Sequence, residues 1–219
     1  MAFRVVVLLG LISLLGCRTR SSEPAGQNLT VPAVDDSTLI FNGVTLDGWE
    51  VTNFGPQGPV SVSGGEIILG MGDGCTGITY TRDIPVTDYE ISLEARRKEG
   101  NDFFCGLTFP VGKDFCTFIA GGWGGTTVGI SCIDGKDAAE NETTTMRNFD
   151  KNRWYAIRLK VSGSRIETWI DEEKVVDLET NGRRISIRPE INLSKPLGIA
   201  SWNTTAGVRK IRLEEKCEE

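Results

Sequence analysis

Three segments of the chain alternate between apolar and polar residues, and they are residues 89–97, 154–161 and 165–170. In the first segment, Ile91 and Leu93 fall on one face, while Glu94 and Arg96 fall on the other. A period of two residues is typical of a β-strand with one face on a core and the other in water. In the third segment, Ile166 and Ile170 face one way, so the period places Trp169 on the opposite, outer face.

Turn residues separate these and other short β-rich segments. Ser63-Gly64-Gly65 lies between two such segments and predicts a β-hairpin. No window of a dozen residues shows a helical period, and the best helix candidate is Lys136–Glu142. Many short strands and 26 glycines predict an all-β domain, either an antiparallel sandwich or a barrel.

The first residues predict an export signal. Arg4 precedes an apolar run at residues 5–15, which is too short to cross a bilayer and is typical of a signal peptide. Leu14-Leu15-Gly16-Cys17 resembles the bacterial lipobox, in which the cysteine is acylated; the alternative is an ordinary signal peptide with an incidental cysteine. We therefore expect a bacterial cell-envelope lipoprotein, periplasmic or on the outer membrane, held to the membrane by its lipid alone. The predicted divisions are a signal peptide at 1–16, a lipidated N-terminus and tether at 17–38, and one domain at 39–216.

Composition excludes several classes of chemistry. The chain has 24 Lys and Arg against 30 Asp and Glu, so its net charge of −6 argues against binding to nucleic acid. It has no histidine, which excludes Ser-His-Asp and Cys-His catalysis and histidine-based zinc sites. Any catalysis must rely on carboxylates, Lys, Tyr, Arg, backbone dipoles or an oxygen-ligated metal.

The cysteines after Cys17 number five, and an oxidising compartment permits disulfides between them. A hairpin centred near Gly124 would bring Cys116 opposite Cys132, which makes them the first candidate pair. The alternative is that most are buried free thiols, which pack as small apolar side chains.

Three tryptophans are candidates for stacking on the apolar face of a sugar ring. Trp123 lies among the glycines of Gly121–Gly125, Trp169 is expected on an outer face, and Trp202 precedes Asn203 at the end of a strand. Such a tryptophan can also fold down onto its own sheet, since most tryptophans are largely buried.

Two further groups of polar residues are candidates for a binding site. The segment 134–147 carries Asn141, Glu142 and Arg147, which suit the hydroxyls of a sugar, although a solvated polar loop fits equally well. Glu94 and Arg96 share one strand face, where such a pair is usually a surface ion pair worth about 0–1 kcal/mol. They become functional candidates if that face is concave.

The segment Ile40–Trp49 resembles the opening "LFNG-x-x-L-x-G-W" motif of the 3-keto-disaccharide hydrolase family, also called the 3-keto-glucoside lyase/hydratase domain. The segments 88–96, 152–155 and 208–213 are also similar to that family, so that the resemblance spans about residues 39–214. It implies a concanavalin A-like jelly-roll β-sandwich of two antiparallel sheets with a concave surface facing a saccharide. It also implies activity on glycosides oxidised to a ketone at C3.

The chemistry of such a substrate points to further roles. A C3 ketone acidifies the C2 hydrogen; a base removes it, the enolate expels the C1 substituent, and water can add to the unsaturated sugar. The candidate bases are Glu94 and Glu142, and the candidate electrophiles are Arg96, Arg147 or an oxygen-ligated divalent metal.

The sequence thus favours hydrolase or lyase action on a 3-keto-glycoside. The alternatives are a carbohydrate-binding module of the same fold without catalytic activity, and an envelope scaffold that binds protein partners.

Overall fold

The computed structural model describes residues 38–216, which form two antiparallel sheets of seven strands each. The predicted all-β jelly-roll sandwich is confirmed. The predicted signal peptide and the lipidation site Cys17 lie outside the described residues, as does nearly all of the predicted tether.

The first sheet, which we call the front sheet, has the spatial order β1-β4-β13-β6-β7-β8-β9. Its strands are β1 (Trp49–Val51), β4 (Cys75–Tyr80), β6 (Cys105–Val111), β7 (Asp114–Gly122), β8 (Thr127–Ser131), β9 (Thr145–Met146) and β13 (Gly198–Trp202). A short 3₁₀ helix, Pro189–Ser194, precedes β13.

The second sheet, which we call the back sheet, has the order β12-β11-β10-β5-β14-β3-β2. Its strands are β2 (Val60–Ser63), β3 (Glu66–Leu69), β5 (Tyr89–Gly100), β10 (Tyr155–Ser162), β11 (Arg165–Ile170), β12 (Glu173–Glu179) and β14 (Thr204–Glu215). The hairpin predicted at Ser63-Gly64-Gly65 joins β2 to β3.

The core lies between the two sheets. The back sheet contributes the inward residues of its alternating strands, such as Ile91 and Leu159, and the front sheet contributes large side chains such as Phe109 and Phe118. All four are fully buried. The alternation in the sequence therefore identifies the buried face of the back sheet correctly.

The opening motif is a structural corner. The side-chain oxygen of Asn42 accepts hydrogen bonds from the backbone N–H groups of Val44 and Thr45, both at 2.8 Å. Trp49 is buried against Tyr80, and its indole N–H donates to the Ile40 carbonyl at 2.8 Å. The motif thus fixes the chain where it enters the front sheet.

The predicted helix at Lys136–Glu142 is wrong, because this segment consists of turns. The side-chain amide of Asn141 donates to the carbonyls of Asp137 at 2.6 Å and Lys136 at 3.3 Å. Carbonyls satisfied by a side chain do not need the backbone ladder of a helix. Within residues 38–216, no helix is long and apolar enough to cross a membrane.

Candidate functional site

A cleft of about 280 Å³ opens on the outer face of the front sheet, the face that points away from the core. It is lined by Cys75, Asp102, Phe103, Thr117, Ile119, Trp123, Ser131, Arg188, Glu190, Ile191 and Trp202. The lining combines two indoles, one guanidinium and two carboxylates, which is the mixture that the sequence predicts for a saccharide site.

Small residues on this outer face allow other segments to cover it closely. A Cβ atom at Gly198 would come within 2.5 Å of the Ser194 carbonyl oxygen, at the end of the 3₁₀ helix. A Cβ at Gly106 would come within 3.0 Å of the Phe103 ring. The cleft lies where the covering segments leave part of the sheet open.

Trp202 forms one wall of the cleft at the end of β13. Its backbone N–H donates to the Phe103 carbonyl at 3.0 Å, which ties the strand to the segment that carries Asp102. The next residue, Asn203, accepts a hydrogen bond from the Gly74 N–H at 2.8 Å through its side chain. Asn203 therefore fixes the loop before β4 beside Trp202, whereas the sequence predicts direct contact with substrate.

Trp123 lies in the glycine-rich loop between β7 and β8 and is 43% exposed. Its backbone has a φ of 47°, in the left-handed region that bulky residues rarely adopt. The neighbouring Gly121 and Gly124 also have positive φ values, of 79° and 87°. The loop keeps the indole half in solvent, and the alternative that Trp123 folds down into the sheet is not observed.

Arg188 and Glu190 form the charged wall. The guanidinium donates to both Glu190 oxygens, at 2.9 and 3.3 Å, and to Asp137 at 2.9 Å. These bonds lower the pKa of the Glu190 carboxyl, so it is ionised at neutral pH. The charge of Glu190 also acts on the thiol of Cys75 in the cleft, where burial and then this charge raise the pKa to about 12. Cys75 is therefore a protonated thiol and not a nucleophile at neutral pH.

Asp102 carries the other carboxylate of the cleft. One of its oxygens accepts from the Phe103 N–H at 2.8 Å, and the other accepts from the Gly124 N–H at 3.3 Å. A carboxylate has about four acceptor positions, so two positions remain for a ligand. Asp102 is thus oriented by the backbone without being neutralised by an ion pair with any residue of 38–216.

The structure separates the predicted residues Glu94, Arg96 and Trp169 from this cleft. All three lie on the outer face of the back sheet, on the opposite side of the sandwich. Glu94 is bound by Arg209 at 2.6 Å and Lys210 at 2.7 Å. Burial raises the pKa of Glu94, but the hydrogen bonds and positive charges of Lys210 and Arg209 together outweigh it, so the net effect is a lowered pKa.

Arg96 and Trp169 are also engaged with neighbouring side chains. Arg96 pairs with Glu66 at 2.7 Å, and the guanidinium carbon of Arg158 lies 3.5 Å from the centre of the Trp169 ring. The geometry therefore gives no support to catalytic or binding roles for Glu94, Arg96 and Trp169.

The predicted residues Asn141, Glu142 and Arg147 have structural partners. Asn141 is buried and holds its own loop, including a bond of 2.7 Å to the Ile130 carbonyl. Glu142 forms an ion pair with Arg183, which lowers the pKa of the carboxyl. Arg147 bridges to Asp171 at 3.1 Å and Glu173 at 3.0 Å. None of the three lines the cleft.

The predicted disulfide is not formed in the structure, because Cys116 and Cys132 are both free, buried thiols. The register that suggested the pair is correct, since Thr117 lies opposite Ser131. The Cys132 sulfur lies 3.4 Å from the Ser131 hydroxyl. Within residues 38–216, no group of three or more acidic or cysteine side chains could hold a metal ion.

Sequence reasoning located Trp123 and Trp202 but missed Asp102, Arg188 and Glu190. Asp102 lies just after β5. The only local signal for it in the sequence is that a polar residue follows a clearly alternating strand. Arg188 and Glu190 flank Pro189 at the start of the short 3₁₀ helix, where the sequence carries no pattern that points to a site. Their meeting with Asp102 depends on the tertiary fold.

The model of the 3-keto-alpha-glucoside-1,2-lyase-like domain family matches residues 36–214 of the chain. No curated protein matches this chain.

Several solved structures share the fold. A carbohydrate-binding module, CBM66 from Bacillus subtilis, is 19% identical with a TM-score of 0.53, over 77% of this chain and 96% of that one. A putative glycosyl hydrolase from Parabacteroides distasonis is 14% identical with a TM-score of 0.54, over 82% and 94%. SCLam, a non-specific endo-beta-1,3(4)-glucanase of family GH16, is 10% identical with a TM-score of 0.51, over 82% and 87%. At these identities the likeness shows the fold alone.

Proposed function

Because the chain belongs to the family of 3-keto-alpha-glucoside-1,2-lyase-like domains, we propose that it binds a 3-keto-glycoside between Trp123 and Trp202 and cleaves the glycosidic bond there. The observation that carries this proposal is that two indoles share one cleft with Asp102, Arg188 and Glu190. An indole face suits the polarised C–H groups of a sugar ring, and the charged groups suit its hydroxyls.

Asp102 is the better candidate for the base that removes the C2 proton. Both oxygens of Glu190 are bound by Arg188, which leaves this carboxylate less available to accept a proton from a ligand. Asp102 is held by two backbone N–H groups and retains free acceptor positions.

Arg188 is the candidate cation for the enolate oxygen at C3. In this scheme Asp102 takes the C2 proton, and the electrons of the C2–H bond form the enolate. The enolate collapses to a C1–C2 double bond as the bond from C1 to the aglycone oxygen breaks, and that oxygen takes up the proton from Asp102, which regenerates the carboxylate. Water then adds to the unsaturated sugar. Arg188 is the cation among the residues that line the cleft, so it is placed to stabilise negative charge there.

The test is release of p-nitrophenol from the 3-keto form of p-nitrophenyl α-glucoside. We expect release by the wild-type protein and a loss of at least about a hundredfold in Asp102→Asn, the scale of general-base catalysis. Glu94→Gln, on the back sheet, is the matched control and should keep full activity. Full activity in Asp102→Asn, or loss in Glu94→Gln, would contradict the assignment.

A second candidate function is saccharide binding without catalysis. It is favoured because the chain has no histidine and both cleft carboxylates already accept hydrogen bonds within the protein. In that case methyl 3-keto-α-glucoside would quench the tryptophan fluorescence of the wild-type protein, it would bind more weakly to Trp123→Ala and to Trp202→Ala, and no aglycone would be released.

We also propose that the protein is exported and anchored by lipid on Cys17. The support is the order of charged residue, apolar run, small residue and cysteine at residues 4–17. Expression in a bacterium with labelled palmitate should label the wild-type protein and leave Cys17→Ala unlabelled. Equal labelling of both would contradict the proposal.

A further inference from the structure

Arg97 is the last inward-facing residue of β5 and is only 6% exposed. The alternation of β5 brings it into the row of core residues, whereas its neighbour Arg96 points to the outer face of the back sheet. Arg97 forms no salt bridge with any residue of the described part of the chain. A buried charge without an ionic partner is costly, so its presence needs a structural reason.

The hydrogen bonds of Arg97 supply that reason. Its Nη2 donates to the carbonyl oxygens of Gly121 at 3.2 Å and Gly125 at 2.9 Å, at the two ends of the loop that carries Trp123. Its guanidinium lies over the Phe104 ring at 5.4 Å. One side chain therefore ties both ends of the loop to the core.

The glycines of the loop fit this arrangement. A Cβ at Gly121 would lie 2.5 Å from Arg97 Nη2, and one at Gly125 would lie 2.8 Å from the Asn101 carbonyl oxygen. The loop can approach the guanidinium so closely only because these positions lack side chains. The conformation also holds Trp123 at a positive φ, which persists only when surrounding contacts enforce it.

Asp102 holds the same loop from the cleft side. Its carboxylate accepts from the Gly124 N–H at 3.3 Å, next to Trp123. Burial lowers the pKa of the Arg97 guanidinium, and the negative charge of Asp102 acts in the opposite direction. The loop thus lies between a buried cation and a cleft carboxylate.

We propose that Arg97 is a positioning residue for the cleft, which fixes the Gly121–Gly125 loop so that Trp123 is presented to the saccharide. This inference rests on the proposed function for the identity of the ligand, but its structural part stands without it. Arg97 acts through Trp123 and does not itself line the cleft.

The first experiment is a double-mutant cycle on the binding of methyl 3-keto-α-glucoside, measured by tryptophan fluorescence. We expect Arg97→Gln to weaken binding about tenfold, as Trp123→Ala does, because both remove the ordered indole. The double variant should bind no more weakly than Trp123→Ala alone. The proposal would be overturned if the double variant lost affinity by the product of the two single losses. It would also be overturned if Arg97→Gln kept the wild-type affinity.

Arg96→Gln is the matched control. It removes the same group one residue earlier, on the other face of the strand, where Arg96 pairs with Glu66. It should keep wild-type affinity for the sugar even if its thermal stability falls. An equal loss of affinity in both variants would show that general destabilisation, and not the loop, controls binding.

The second experiment needs no ligand. Hydrogen exchange followed by mass spectrometry should show faster exchange in residues 121–126 of Arg97→Gln, with no change at the β10–β11 turn. If the wild-type protein binds no sugar, the proposed function fails while this measurement still decides the role of Arg97. Unchanged exchange in the loop overturns the inference.

If Arg97→Gln does not fold, Arg97→Lys takes its place. The lysine keeps the charge, but its side chain ends about one bond short of the position of Nη2, the nitrogen that donates to both carbonyls. Faster exchange in residues 121–126 is expected again, and wild-type exchange would overturn the proposal.

Discussion

The two sheets differ in what covers their outer faces. In the front sheet, β4 and β8 are buried at every residue, so both faces are covered. In the back sheet, β5 and β10 alternate between buried and partly exposed residues, so one face meets solvent. The front sheet offers a cleft between its covering segments, whereas the back sheet offers an open surface.

The same contrast applies to the tryptophans. On the back sheet, the guanidinium carbons of Arg96 and Arg209 lie 4.3 and 4.0 Å from the ring centre of Trp154. Trp169 is stacked by Arg158. Cation–π contacts of this kind occupy ring faces that a sugar would need. An outward tryptophan is therefore a candidate for sugar stacking only when the structure leaves its ring free, as at Trp123.

The largest expected effect is a loss of stability at Gly198, where the 3₁₀ helix packs closely against the outer face of the front sheet. Gly198→Val should lower the free energy of unfolding by about 3 kcal/mol, because its Cβ would meet the Ser194 carbonyl oxygen at 2.5 Å and the Ile78 carbonyl oxygen at 3.0 Å. Urea denaturation measures the loss. Ser92→Val, on the outer face of β5, is the control and should change stability by less than about 0.5 kcal/mol. Equal effects at both positions would remove the contrast between the sheets.

A smaller effect is expected in the ion-pair network of the back sheet. Glu66 is 7% exposed and binds Arg96 at 2.7 Å and Lys98 at 2.8 Å. Glu66→Gln should lower the free energy of unfolding at pH 7 by about 1–2 kcal/mol, because two cations lose their charged acceptor.

The pH dependence of that loss follows from the pKa of Glu66. Burial raises this pKa, but the hydrogen bonds and positive charges of Arg96 and Lys98 together outweigh burial, so the folded-state pKa is lowered. The stabilisation is complete above the unfolded pKa of about 4.3 and is lost as the pH falls through the folded value. The stabilities of wild type and Glu66→Gln should therefore converge as the pH falls through the lowered folded-state pKa. A difference that grows on acidification would contradict this sign.

The ion pair between Arg188 and Glu190 in the cleft should contribute less to stability than the pairs of Glu66. Glu190 is 46% exposed at its side chain, so solvent screens its attraction to Arg188. Glu190→Gln should lower the free energy of unfolding by no more than about 0.5 kcal/mol. Thermal denaturation at low and high salt measures the effect. A loss of stability as large as that of Glu66→Gln would contradict the prediction that solvent screens the Arg188–Glu190 pair.

The smallest expected effect is on sugar affinity in Trp169→Phe. The phenyl ring keeps the contact with Arg158, and position 169 lies on the sheet opposite the cleft. Affinity for methyl 3-keto-α-glucoside should stay within about twofold of wild type, a change of less than 0.5 kcal/mol. A tenfold loss would move the saccharide site to the back sheet.

Much of the fold could be predicted because its signals are local. The alternation in residues 89–97 assigned Leu93 inward and Glu94 outward, and both assignments are confirmed. The same period placed Trp169 outward correctly. It could not show that Arg158 would stack on that ring, because alternation gives the face of a residue but not the side-chain conformation of its cross-strand neighbour.

The candidate site was less predictable for the same reason. Alternation assigns the residues of each strand to two faces. It does not tell which sheet will have its outer face covered by other segments, or where a cleft will remain open between them. Arg97 illustrates the limit: the structure places it in the inward row of β5, and its two carbonyl partners lie in a loop between two strands of the other sheet.

The sequence by itself determined that the chain builds layers of strands with an apolar face, since alternation depends only on each strand and the water around it. It also determined the entry corner at Ile40–Trp49, whose Asn42 bonds join residues two and three positions apart. Only the tertiary structure decided that Asp102, Trp123, Arg188 and Trp202 share a cleft and that Glu94 and Arg96 face away from it. These neighbours are set by strand order and long-range packing, which no local pattern encodes.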